Sequence, residues 1–486
     1  MPTRSEGVGL RSERGPILLA LMLATALVAL DATIIATASS SIAQDLGHFQ
    51  QLPWLFSVYL LAQAVSVPIY GKLADVLGRK RLLLFGIGVF LVGSVLCGAA
   101  WSMPVLIGAR VVQGLGAGAV LPVSMTITSD IYTLEERAKT QGYLASVWGI
   151  ASVVGPTLGG LFSELGAWRW IFFINVPLAL IAGFMLFRSY HEGAHTAQRE
   201  RIDFLGAGLL AGGTTALLLG LLEGGTTWGW DSPASFGIFA SAAVLLVAFV
   251  VVELRVEHPI FDLGLLRRRV VLASTVASLV IGVIVMGLST YVPIYAQDVL
   301  GASALIAGFA LAALTLGWPI SASQAGRIYL RWGFRVTAMI GAALVVVGGV
   351  LTVTLGAQSP IWLVAVYCFV VGAGMGLTAV PTLIAAQSSA AITERGAVTG
   401  TNMFARSMGS AIGVAVFGAV VNSHVRLDVA GVPEGAGLMT AMHLVFAAIA
   451  AVAVVLLVAV TFMPAHRRQE GGAGAELAAE VEPAAT

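Results

Sequence analysis

The chain has 486 residues, 58% of them hydrophobic and 10% charged, with 26 basic residues against 25 acidic ones. Soluble domains carry about 45–50% apolar and about 25% charged residues, so this composition excludes a soluble globular protein and points to an all-α polytopic membrane protein. A net charge of +1 lacks the basic footprint of a nucleic-acid binder, and two cysteines buried in apolar runs, Cys97 and Cys368, offer neither a disulfide framework nor a metal site.

The opening segment, MPTRSEGVGLRSERG, is cytoplasmic in this reading and places Arg4, Arg11 and Arg14 before an apolar run of about 26 residues. A secretory signal has a shorter apolar core and a small-residue cleavage site, so the first run is predicted to stay as a membrane span. Crossing the hydrocarbon takes about 20 apolar residues. Runs of that kind lie at 17–43, 54–73, 82–101, 104–127, 141–163, 169–188, 203–222, 235–254, 270–296, 303–325, 336–356, 360–384, 397–421 and 438–463. Fourteen spans with both termini cytoplasmic put 22 of the 26 Lys and Arg residues on the inner side, as the positive-inside rule requires. Trp54, Trp101, Trp168, Trp170, Trp228, Trp230 and Trp362 then fall at outer span ends, where an interfacial aromatic belt belongs. The last segment, 464–486, is acidic, rich in Ala and Gly, and reads as a disordered cytoplasmic tail.

Within span 1, ALDATIIATASS carries a single acid, Asp31, without a charged neighbour. An acid at that depth is costly unless neutralised or paired, which marks it as functional. Span 4 supplies the candidate partner: Arg110, Gln113, Gly114 and Ala117 recur at helical spacing on one face, and a guanidinium there must meet water, a carboxylate or carbonyls. The pair is either a proton-coupling site or a structural tie between spans 1 and 4. After span 2, GKLADVLGRKR turns on Gly71 and Gly78 and holds Arg79, Lys80 and Arg81 in water, with Asp75 as its one acid. A related stretch, GRIYLRWGFR, follows span 10; Gly326 and Gly333 match Gly71 and Gly78 at an offset of 255, but Leu330 stands where Asp75 would. If spans 7 and 8 are an insertion, this repeat follows the second span of each of two six-span halves, a transporter layout.

Span 5 carries Gly155, Pro156, Gly159 and Gly160, a small-residue face with a proline that breaks one backbone bond. Tyr291 and Tyr295, four residues apart near the outer end of span 9, serve either interfacial anchoring or cavity lining. Asn402 and Arg406, four apart in span 13, serve either structure or cavity electrostatics. Trp148 and Trp318 lie well inside spans 5 and 10, against substrate or simply packed.

Four ordered stretches, GKLADVLGRKR, IGARVVQGLGAG, GIASVVGPTLGG and WRWIFFINVP, resemble the signatures of the major facilitator superfamily, in its branch of fourteen-span drug:proton antiporters, over residues 17–463. The resemblance implies a major facilitator fold: an N-terminal six-helix bundle at 16–190, an inserted helix pair at 203–254 and a C-terminal six-helix bundle at 270–463. It implies a multidrug efflux antiporter in the inner (plasma) membrane, a monomer that exchanges protons for amphipathic or cationic small molecules by alternating access. Protons, membrane lipids and the small-molecule substrate are its partners, and the proton gradient replaces any cofactor or metal. Asp31 and Arg110 would couple protons. Asp31, Gln113, Tyr291, Tyr295, Asn402 and Arg406 would line the cavity. Asp75 would cap a helix end of the opposite half as a one-sided latch, with Gly71, Gly78 and Arg79 in the same motif. GPTLGG (Gly155, Pro156, Gly159, Gly160) is the family's mark of export by antiport. The opening stretch departs from the family pattern LDxTIVNVALPxI, with Ala36 for the usual Asn and Ser40 for the usual Pro, which leaves the substrate class open. The rival cargo is a lipid, glycolipid or endogenous metabolite. A membrane enzyme would need a cluster of acids, histidines or a metal motif, and a non-transporting sensor would leave Asp31 unexplained.

Overall fold

A computed structural model describes residues 9–46, 52–192, 203–224, 228–256, 259, 263–424 and 435–464. Within them the chain runs through α1 (Gly15–Leu46), α2 (Leu52–Leu77), α3 (Arg79–Gly98), α4 (Met103–Ile131), α5 (Leu134–Glu164), α6 (Trp170–Phe173) and α7 (Asn175–Ser189). It continues through α8 (Phe204–Glu223), α9 (Pro233–Glu253), α10 (Arg269–Ile294), α11 (Ala304–Trp332), α12 (Phe334–Val353), α13 (Ile361–Ser388), α14 (Arg395–His424) and α15 (Gly435–Thr461). Thirteen helices among the described residues, with α6 and α7 read as one, are long and apolar enough to cross a membrane. The remaining long helix, α14, carries Asn402, Arg406, Ser407 and Ser410 in its interior. The tail and the loop holding Arg426 lie outside the described residues.

Large apolar side chains point outward all round the molecule: Phe184, Phe236, Phe309 and Phe462 are each about two-thirds exposed. Water would penalise such a surface, whereas lipid accepts it. Inside, the apolar core divides. One cluster is drawn from α10–α15 around Val345, Phe417 and Phe446, and two more from α1–α7 around Phe90 and Phe172.

The packing partners repeat. In the first set α1 packs on α5 and α7, α2 on α4, and α3 on α4; in the second, α10 packs on α14 and α15, α11 on α13, and α12 on α13. The two sets meet along α2 with α14 and along α5 with α11. The weak repeat in sequence has the same local geometry, since Gly78 (φ 94°) and Gly333 (φ 84°) both turn the chain in a conformation that favours glycine, just before α3 and α12.

Helix α8 packs on α9 and on the α2–α14 junction, where Leu217, Leu218 and Leu221 meet Ala64, Met408 and Ala411. Helix α8 therefore covers one of the two seams from outside. Photoreactive cargo is expected to crosslink to positions 206–220 at well under the yield from α4; equal yields would place α8 at the cargo path.

Candidate functional site

Asp31 lies mid-way along α1 and is fully buried. Its Oδ2 accepts from Arg110 Nη1 at 2.6 Å and its Oδ1 from Gln113 Nε2 at 2.8 Å. Arg110 also donates to Gln113 Oε1 (2.7 Å) and, through Nε, to the Leu55 carbonyl (3.1 Å), while its guanidinium lies 4.0 Å from the Tyr59 ring centroid. Gln113 reaches on to Ser94 (3.2 Å), which Asn175 joins at 2.9 Å. One charged pair thus ties α1, α2, α3, α4 and α7 together. Breaking such a buried pair from one side costs about 3–5 kcal/mol, and here each carboxylate oxygen has its donor. A cationic cargo finds no unengaged carboxylate at Asp31 in this arrangement.

The second site is at the basic end. Asp75 accepts from the backbone N–H of Gly396 (3.2 Å) and Ala397 (3.0 Å), in the first turn of α14, and pairs with Arg79 Nη2 at 2.8 Å. A carboxylate at a helix N-terminus is favoured by about 0.3–1 kcal/mol. The contact joins the end of α2 to the first turn of α14. Gly71 permits the approach, for a Cβ there would lie 2.7 Å from the Gly396 carbonyl oxygen. Leu330, at the matching position, is exposed.

Asp130 and Arg395 belong to the same network, and sequence reasoning passed over both. Asp130 bridges Arg79 Nε (3.0 Å) and Arg395 Nη1 (3.2 Å), Arg79 also donates to the Ile392 carbonyl (2.6 Å), and Arg395 to that of Ser129 (2.7 Å). Nearby, Arg137 approaches Ser388 (3.5 Å) and also bonds the Ser129 carbonyl, and Tyr329 meets the Leu134 carbonyl (3.4 Å). The signal for Asp130 was available, as an acid at the basic end of span 4. Glu192 adds a further tie, accepting from the Arg79 backbone N–H at 2.8 Å beside Gly78.

In α5, Gly155 packs against Thr33 of α1, whose hydroxyl donates to the Ala151 carbonyl at 3.0 Å; Gly159 is buried and Gly160 faces open space. Pro156 lies in the same helix.

Four residues expected to line a cavity are taken up by packing or hydrogen bonds inside the protein. Tyr291 is buried edge-on against Phe417, and Tyr295 is fully buried against Phe446 with its hydroxyl on the Gly356 carbonyl (2.7 Å). Both pack in the core of α10–α15 because each ring finds an aromatic partner there. Asn402 is consumed between helices, accepting from Ser278 and donating to Ser274 at 2.7 Å. Gln113 is sealed inside the Asp31 cluster. Arg406 alone stays partly exposed, its guanidinium 5.4 Å from the Trp318 ring centroid. Trp148 is exposed on α5.

At the opposite end, Asp45 accepts from Trp168 Nε1 (3.0 Å) and Arg169 Nη1 (2.8 Å), bonds that hold its carboxyl below the usual range. Trp168, expected as an interfacial ring, is buried and serves as a partner of α1.

Comparison with known proteins agrees with this geometry. Residues 21–414 match the family model described as Major Facilitator Superfamily. The chain is 35% identical over 405 residues to Multidrug resistance protein 3 of Bacillus subtilis (strain 168), covering 83% of this chain and 79% of that protein. It is 33% identical over 415 residues to Multidrug transporter protein MdtP of the same organism, covering 85% and 76%. Among solved structures, the human organic anion transporter MFSD10 (TETRAN) superposes with a TM-score of 0.63 over 92% of this chain and 99% of that one, at 14% identity, a likeness of fold. With a family match over most of its length and relatives of this identity, the chain belongs to the Major Facilitator Superfamily, the multi-pass membrane transporters.

Proposed function

We propose that this protein is a proton-coupled antiporter that exports small amphipathic molecules across the plasma membrane by alternating access. Residues 16–190 and 270–463 act as the two moving bundles and 203–254 as an accessory pair. The topology is fourteen spans with both termini cytoplasmic, and the pump works as a monomer, without a cofactor. The observation that carries the reading is the Asp31–Arg110–Gln113 cluster. Both oxygens of Asp31 accept hydrogen bonds from N–H donors. A proton arriving on Asp31 converts one of these acceptors into an O–H donor facing an N–H. Donor then opposes donor, and Arg110 is released from a junction of five helices. The names of the two Bacillus relatives support an exporter of small molecules.

The ties at the basic end, made by Asp75, Asp130, Arg137 and Arg395, support a state closed on the cytoplasmic side. A proton entering from outside would reach Asp31 in that state, and its release inside would restore the pair with Arg110. Purified protein in liposomes with an acidic exterior tests this. A panel of amphipathic compounds inside the vesicles is expected to accelerate luminal acidification for those that are exported. If no compound in the panel, lipids included, changes proton entry while the protein remains folded, the antiport reading fails.

A further inference from the structure

Every buried arginine that bears on the two sites above has an acceptor. Arg110 holds Asp31, Arg79 holds Asp75 and Asp130, and Arg137 bonds backbone carbonyls. Arg406 differs. Its Nε is buried without a hydrogen-bond partner and, unlike Arg79, Arg110 and Arg395, it has among the described residues no Asp or Glu within ion-pair distance of its guanidinium. A guanidinium cannot shed its proton to escape this, and an uncompensated charge at such depth is rare outside functional sites.

Its position is as telling as its solitude. Arg406 lies eleven residues into α14, about 17 Å from the basic end, and Trp318 lies fourteen residues from the end of α11, about 21 Å from the same side. Helix α14 packs on α2 and α11 on α5, the two lines along which the bundles meet. A side chain reaching from α14 to the indole of α11 therefore runs along the face that the second bundle turns toward the first. The indole face offsets part of the charge. Asp31, the acid expected to face this region, is already paired with Arg110, so it does not balance Arg406.

From this juxtaposition we infer that Arg406 and Trp318 form a subsite for the anionic group of an amphipathic cargo, a carboxylate, sulfonate or phosphate on Arg406 with flat apolar surface against Trp318. The inference rests on the reading of the protein as an exporter whose cargo passes between the bundles, and it names that cargo's class. A fork of N–H donors suits a planar or tetrahedral oxyanion, and hydrogen bonds to charged groups are the strong ones.

Three probes that share a ring system make the test: 1-pyrenebutyrate, neutral 1-pyrenebutanol and a trimethylammonium analogue, with binding read by energy transfer from tryptophan in nanodiscs. The parent is expected to bind pyrenebutyrate roughly tenfold or more tighter than pyrenebutanol. Arg406→Gln should erase that preference and leave pyrenebutanol binding within about twofold, which also reports that the variant is folded, while Arg406→Lys should restore part of it. Equal binding of all three probes by the parent, or equal loss of butyrate and butanol binding in Arg406→Gln, would overturn the subsite. Repeating the titration with phosphatidylglycerol in place of pure phosphatidylcholine separates the sources of the anion. Competition identifies a lipid phosphate in the subsite, and its absence identifies a soluble acid. Flux in liposomes keeps the two readings apart. Charge-selective binding without pH-driven transport keeps the subsite and sinks antiport, whereas pH-driven transport blind to probe charge keeps antiport and sinks the subsite.

Discussion

Asp31→Asn is expected to abolish pH-driven accumulation of substrate while leaving the protein inserted and folded. The amide keeps one oxygen for Arg110 or Gln113 but holds no exchangeable negative charge, so the cluster loses its switch between acceptor and donor. Its –NH2 also meets one of the two N–H groups that Asp31 now satisfies, and an unmatched buried donor costs about 1–3 kcal/mol. Thermal stability should therefore fall modestly, and less than in Asp31→Ala, which removes both carboxylate oxygens and leaves Arg110 with only neutral acceptors, Gln113 Oε1 and the Leu55 carbonyl. The measurement is accumulation against an imposed pH gradient in proteoliposomes, with insertion checked in parallel. An Asn variant that still concentrates substrate at near the parent's rate would reduce Asp31 to a structural partner of Arg110 and send the search for the proton carrier elsewhere. Binding of a neutral cargo should survive the change.

The second large effect is expected at the basic end. Asp75→Asn removes the charge that holds the first turn of α14 and one of the two carboxylates on Arg79. Helix-terminus and ion-pair contributions of about 1–2 kcal/mol together shift the balance between closed and open forms by roughly tenfold. A cysteine placed at Ser323, which faces Gly142 where α5 and α11 meet, should then react faster with a maleimide, against native cysteines that are both buried. Transport should slow in step. Leu330→Asn, at the matching and exposed position of the repeat, should change neither quantity. Equal effects from the two substitutions would refute the one-sided latch.

What could be read from the chain follows from how strongly each residue is constrained by hydrocarbon. An acid and a guanidinium in apolar runs must find each other, so Asp31 and Arg110 were legible, and Gln113 followed from its place three residues on. Asp75 was legible because it is the one acid in a basic turn and the repeat lacks it. Asp130 left a weaker trace, an acid at the basic end of its span, and Arg395 none, because charges at span ends are common and water satisfies most of them; their pairing shows only once the fold brings α4 and α14 together. The surroundings of Tyr291 and Tyr295 were not legible for another reason. A tyrosine near a span end satisfies its hydroxyl equally at an interface, in a cavity or on a carbonyl, and spacing does not say which; the Gly356 carbonyl that Tyr295 uses lies 61 residues away in sequence. The same holds for Asn402, whose partners Ser274 and Ser278 are common, unremarked serines of α10. For Arg406, the lack of an acid in its own helix was visible, while the lack of one on any described neighbour needed the fold.

The polar interior of α14 also bears on how the chain is made. Arg406 alone opposes insertion of a helix centre by about 2.5–3.5 kcal/mol on biological insertion scales, and Asn402 adds to it. The groups that receive Asn402, Ser274 and Ser278 of α10, precede it by 128 and 124 residues and have left the ribosome long before α14 is synthesised. Helix α14 thus enters the bilayer beside a partner that is already waiting, and its place in the order of synthesis becomes a condition of its stability. A chain rearranged so that α14 emerged before α10 would ask the insertion machinery to release a charged helix into lipid with no hydroxyl to meet it.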